Sequence, residues 1–140
     1  MNISDLLNLD GSNVEDKIVD TIDDVRVELK DLTTDLTCKI YSDYIKDSLT
    51  KKHVISRVVN TSDLDLPYEH QFNIALDGID NYYLIDLTYS QFKNSEFIDL
   101  LFQGFMKMND KDFSRYLEIV GNGKTDVKLK DIFDVSYKKK

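Results

Sequence analysis

Two runs rich in β-branched and aromatic residues, HQFNIAL at 70–76 and NYYLIDLT at 81–88, flank the turn-forming stretch DGID. That arrangement predicts an antiparallel β-hairpin with a loop of about five residues. A hairpin constrains the chain strongly, because side chains alternate between its faces and register decides which residues meet. If Ala75 stands opposite Asn81, then His70 stands opposite Asp86, and a slip of two residues still leaves them diagonal neighbours on one face. A slip of one would separate them. Phe72, Ile74 and Leu76 share the His70 face, and Tyr82 and Leu84 the Asp86 face, so this side must be covered by another element.

Helical periodicity supplies candidates for the cover. Val14, Ile18, Ile22, Val25, Leu29 and Leu32 recur every three or four residues after the turn signal Asp10-Gly11, with Ser12 or Asn13 available as a cap. A second helix is expected over 36–49, where Leu36, Ile40, Tyr44, Ile45 and Leu49 form an apolar side. Thr33, Thr34, Asp35 and Thr37 crowd its start, next to Cys38. The short run HVISRVVN at 53–60 reads as a strand, and the loop after it holds Pro67, the chain's one proline. Beyond the hairpin, Phe97, Leu100, Leu101 and Phe105, then Phe113, Tyr116, Leu117 and Val120, predict two helices joined near Asn109-Asp110, with Gly121 to Gly123 ending the second. The remainder, VKLKDIFDVSY, is expected to be an edge strand or a docked tail.

The 140 residues suit a single domain, and 41 % apolar with 11 % aromatic residues suffices for a core. Residues 1–11 and 138–140 are expected to be flexible. A net charge of −8 argues against nucleic acid or an anionic membrane as partner. No run approaches the ~18 apolar residues of a membrane span. The chain is therefore expected to be soluble and cytoplasmic where it is made, and a domain delivered into a target cell by a dedicated secretion machine would have the same composition. One cysteine excludes an internal disulfide, and two well-separated histidines are a poor start for a metal site, so no metal or cofactor is expected. His53 has no carboxylate in its pattern and reads as structural or exposed, and Gly121-Asn122-Gly123-Lys124 lacks the spacing of a phosphate loop.

The chemistry concentrates in Cys38, His70 and Asp86. A thiol at a helix start, an imidazole and a carboxylate, in that order, form the set that acyl transfer through a cysteine requires. A helix N-terminus and an imidazolium both favour thiolate. His70 would take the thiol proton and return it to a leaving amine, while Asp86 would fix the ring and stabilise its charge. The main-chain N–H of Cys38 is a natural oxyanion donor.

The run TCKIYSDYI, then EHQFNIALDG, then NYYLIDLTYSQF, resembles the papain-like and transglutaminase-like thiol superfamily. Its members place Cys on a helix N-terminus, His at a strand start and Asp on the next strand, matched here by Cys38, His70 with Asn73, and Asp86 with Thr88. The resemblance covers about residues 33–92, and spacings of 32 and 16 suit compact members such as small bacterial transglutaminase-like proteins and toxin or effector protease and deamidase domains. It departs in having no tryptophan, no Gly-x-Cys-Trp phrase and no glutamine shortly before Cys38. A side-chain oxyanion donor is then unassigned among Thr33, Thr37 and Gln91.

What the resemblance implies is an α+β fold with Cys on a helix N-terminus packed on a small antiparallel sheet carrying His and Asp. The implied activity is hydrolysis of amides in a peptide or protein, as a protease or glutamine deamidase, without a cofactor. The alternatives are a transglutaminase-like acyl transferase and a non-catalytic protein-binding module. An acidic rim favours a basic or neutral substrate.

Overall fold

A computed structural model describes residues 13–29, 37–78, 81–92 and 96–134. The fold is α+β. Strands β1 (Ile55–Asn60), β2 (Gln71–Asp77), β3 (Asn81–Ile85) and β4 (Phe105–Met108) form one antiparallel sheet in the order β1-β2-β3-β4. The helices are α1 (Val14–Glu28), α2 (Thr37–Lys51), α3 (Asp110–Gly121) and the single turn α4 (Leu129–Ile132). The expected flexible ends, 1–11 and 138–140, lie outside the described residues, as do Leu32, Thr33 and Leu36.

Local chemistry accounts for the helix ends. Asn13 caps α1 by accepting from the Asp16 N–H at 2.8 Å, and Asn109 caps α3 by accepting from Asp112 N–H at 2.8 Å. Acidic residues fill both first turns, where the helix dipole favours them. Asn122 ends α3 in the left-handed conformation, φ 55°, as the predicted Gly-Asn-Gly terminator requires. His53 also adopts a left-handed φ, 64°, as the chain turns out of α2, and it is exposed, in keeping with a structural reading.

The sheet divides the interior into two clusters. On one face α1 and α2 pack Ile18, Ile22, Val25, Ile45 and Leu49 against Ala75, Tyr83 and Ile85. Ile40, expected on the apolar side of α2, is exposed instead. On the other face α3 and α4 pack Phe113, Tyr116, Leu117, Leu129 and Ile132 against Val59, Phe72, Ile74 and Leu84. Burying each such aliphatic or aromatic side chain contributes about 1.5–3 kcal/mol.

Three expectations need correction. Register places Ala75 opposite Tyr83, two residues from the expected pairing, so His70 and Asp86 are diagonal neighbours. Second, of the helices that were candidates to cover the Phe72 and Ile74 face, neither does so: the helix that carries Cys38 packs with α1 on the Ala75 face, and α3 covers Phe72 and Ile74. Third, the first of the two helices expected after the hairpin does not form: Leu101–Gln103 makes one 3-10 turn and Phe105–Met108 continues as β4. Gly104 explains the break. Its φ of 102° is incompatible with helix, and a Cβ there would come within 2.5 Å of the Leu87 side chain. After it, Met106 and Met108 face one cluster and Phe105 the other, a period of two that an apolar run conceals. Among the described residues the tail docks through Leu129 and Ile132 as α4 and adds no strand.

Candidate active site

Cys38 is the second residue of α2, so its main-chain N–H precedes the first helical hydrogen bond. The first turn is clamped to β2 through Ser42, which is 2 % exposed. Ser42 Oγ donates to the Cys38 carbonyl at 2.8 Å, Gln71 Nε2 donates to Ser42 Oγ at 2.7 Å, and Asn73 Nδ2 donates to the Ser42 carbonyl at 2.9 Å. These contacts bring the helix start to the end of β2, beside His70. Sulfur and imidazole therefore meet around the end of the sheet, although α2 and His70 belong to opposite faces.

His70 is 1 % exposed and stands immediately before β2. Its main-chain N–H donates to Thr61 Oγ1 at 2.7 Å, and its carbonyl accepts from the Thr61 N–H at 2.9 Å. Phe92 meets the ring edge-on with centroids 4.8 Å apart, and Phe72 stacks at 6.2 Å. Nε2 lies 2.9 Å from Asp86 Oδ2, leaving Nδ1 for the sulfur. The His70 ring and the Gln71 main-chain N–H are the groups that act on the thiol and lower it.

Asp86 follows β3 directly and is 4 % exposed. Oδ2 also accepts from Tyr116 Oη at 2.6 Å, while Oδ1 accepts from Thr88 N–H at 3.0 Å and Thr88 Oγ1 at 3.1 Å. A carboxylate that receives four donors is held as an anion.

The electrostatics follow from these contacts. The His70 hydrogen bond draws the Cys38 thiol below its usual range, against partial burial and with help from the Gln71 N–H. Burial opposes charge on His70, but the hydrogen bonds with Asp86 and Cys38 outweigh it and raise the imidazole to about 9. Burial likewise opposes charge on Asp86, and His70, Tyr116 and Thr88 together hold it below the ordinary carboxylate range. Both shifts act in favour of a thiolate and imidazolium pair.

The three sequence candidates thus come together. Of the side-chain oxyanion candidates, Thr33 and the side chain of Thr37 lie outside the described residues, and Gln91 is exposed on the turn Tyr89–Phe92. Tyr116 was missed as a site residue because its helical spacing with Phe113, Leu117 and Val120 reads as core. A tyrosine on a buried stripe needs a partner for its hydroxyl, and that requirement was the available signal.

A small crevice of about 10 Å³ lies beside the sulfur, lined by Cys38, Tyr41, Ser42, Gln71 and Asn73 among others. A larger cavity of about 560 Å³ lies among Asn81, Tyr82, Lys107, Asp110 and Lys130, away from the relay. Volume and chemistry point to different places, and the buried charges decide in favour of the relay. Among the described residues no three His, Cys, Asp or Glu side chains are grouped to hold a metal ion, and no helix is long and apolar enough to cross a membrane. No family model, curated protein or solved structure matches the chain.

Proposed function

We propose that the chain is a cysteine-dependent amide hydrolase of the papain-like and transglutaminase-like kind, a protease or protein glutamine deamidase working through a thioester on Cys38. The observation that carries the reading is the buried His70–Asp86 pair, Nε2 to Oδ2 at 2.9 Å, beside a Cys38 thiol that His70 draws below its usual range.

Proton bookkeeping follows from that geometry. With the thiol proton on His70, the thiolate attacks the substrate carbonyl carbon, and the carbonyl oxygen becomes an anion within reach of the Cys38 N–H. Collapse breaks the C–N bond as the imidazolium protonates the leaving nitrogen, which departs as an amine or as ammonia. His70 then removes a proton from water, the hydroxide displaces sulfur from the thioester, and the proton returns to the thiolate. Asp86 stays ionised throughout and stabilises the imidazolium. A groove of about 270 Å³ on the Asp86 flank, walled by Leu87, Tyr89, Ile98 and the 85 % exposed Phe102, offers room for an apolar substrate side chain.

Wild type and Cys38→Ala, incubated with cell lysate and compared by mass spectrometry, test the reading. New peptide termini or Gln-to-Glu conversions with wild type alone support it, as does a substrate-derived acyl mass on Cys38. Amine crosslinks with wild type alone would reassign it as an acyl transferase. Equal product profiles for both proteins would leave the binding module as the better description.

A further inference from the structure

Asp86 Oδ2 receives two donors, His70 Nε2 at 2.9 Å and Tyr116 Oη at 2.6 Å. Tyr116 is 0 % exposed, and its ring is held edge-on by Phe72 at 4.9 Å and stacked on Tyr89 at 5.9 Å, so packing fixes where the hydroxyl points. Burial and the neighbouring Asp86 charge keep the phenol protonated, well above its ordinary range. Tyr116 is therefore a donor throughout the pH range in which the relay operates. Among the described residues the other carboxylate oxygen is secured by Thr88, through its N–H and hydroxyl. The titratable groups facing this cluster are Cys38 from α2, His70 before β2, Asp86 after β3, Tyr89 from the turn 89–92, and Tyr116 from α3.

We propose that Tyr116 is a positioning residue of the relay: its hydroxyl competes with His70 for one carboxylate oxygen and so limits how strongly Asp86 holds the proton on the imidazole. An anionic oxygen shared between two donors gives each a weaker bond than it would give one. Without the hydroxyl, Thr88 still fixes the carboxylate plane, and the charge released falls to His70. The imidazole becomes more basic, and proton delivery to the leaving nitrogen becomes harder. The catalytic meaning of this role rests on the proposed use of Cys38 as nucleophile, whereas the hydrogen-bond competition itself does not.

The test separates the two. In Cys38→Ala protein, which has no thiol to couple with the ring, the His70 imidazole is titrated by NMR with and without Tyr116→Phe. One lost hydrogen bond should make His70 about three- to tenfold more basic, a rise of about 0.5–1 pH unit. Site-specific 3-fluorotyrosine at position 116, a stronger donor of nearly the same shape, should move His70 the other way. Asp86→Asn serves as the reference for complete loss of the carboxylate charge and should lower His70. No movement of His70, or a fall on Tyr116→Phe, overturns the competition, and should that variant fail to fold, an unchanged His70 in the fluorotyrosine protein does so. Failure of the catalytic reading would show separately, as an ordinary thiol in the alkylation profile of the otherwise wild-type protein.

Discussion

The two faces of the sheet do different work. Beneath α1 and α2 the cluster is mostly aliphatic, and the chemistry is confined to one rim, where the first turn of α2 presents a half-buried thiol. Beneath α3 the cluster is also largely aliphatic, but the rings of Phe72, Phe92 and Tyr116 gather around a histidine and an aspartate, both nearly inaccessible to water, with a tyrosine hydroxyl between helix and carboxylate. One face supplies a nucleophile on a stable support. The other keeps charges where low polarisability makes each hydrogen bond count for more. Core substitutions beneath α1 and α2 should therefore change stability without changing thiol reactivity, whereas those at the buried charges should change both, and substitutions can test that division.

The largest loss is expected from Asp86→Ala. It strands a buried imidazole and a buried phenol at once and should cost about 3–5 kcal/mol in urea unfolding. Cys38→Ala, at the half-buried rim, should cost far less. Leu49→Ala on the α2 face should cost about 2–5 kcal/mol through the cavity it leaves, yet the pH profile of Cys38 alkylation should keep its inflection. A shifted inflection would show that the two faces are coupled more tightly than this division allows.

Alkaline pH probes the buried pair. A histidine raised in the folded state to about 9, from an unfolded value near 6.5, stabilises the fold in full below the unfolded value and loses that contribution as pH climbs toward 9. The thiol, lowered on folding, works in the opposite sense, so the effect is cleanest in Cys38→Ala. Its unfolding free energy should fall by about 1–2 kcal/mol between pH 7 and 9.5, and this slope should vanish when His70 is also replaced. Asp86, lowered on folding, loses its contribution at the acid end, as pH falls through its folded value.

Smaller effects calibrate the comparison. Asn13→Ala and Asn109→Ala each remove one N-cap hydrogen bond, one on each side of the sheet, and should each cost about 1 kcal/mol. Phe102→Ser, at an exposed side chain, should change stability by less than about 0.5 kcal/mol. A larger loss would mean that Phe102 belongs to the core of the α3 face.

Much of the site was legible because its geometry depends on parity. Any even register places residues 70 and 86 on one face, so the two-residue error in pairing left their meeting intact. The helices α1, α2 and α3 were legible from periodicity and caps. The strand β4 was not, because Phe97, Leu100, Leu101 and Phe105 mimic helical spacing, while the left-handed backbone of Phe97 and of Gly104 breaks it. Nor could sequence decide which face α2 covers. Gln71 and Asn73 lie on that face and look like solvent-side residues, until Ser42 on the helix is seen to accept a hydrogen bond from each. Tyr116 was hidden within an apolar stripe for the same reason: a partner distant in sequence determines what a polar atom is for.

The most direct test of the relay is the rate at which iodoacetamide alkylates Cys38 as a function of pH, in wild type and His70→Ala. The account predicts an inflection well below the ~8.5 of an unperturbed thiol. A second change should appear near 9 as the imidazolium loses its proton, and both features should disappear in the variant. A single inflection in the ordinary thiol range, unchanged by His70→Ala, would contradict it.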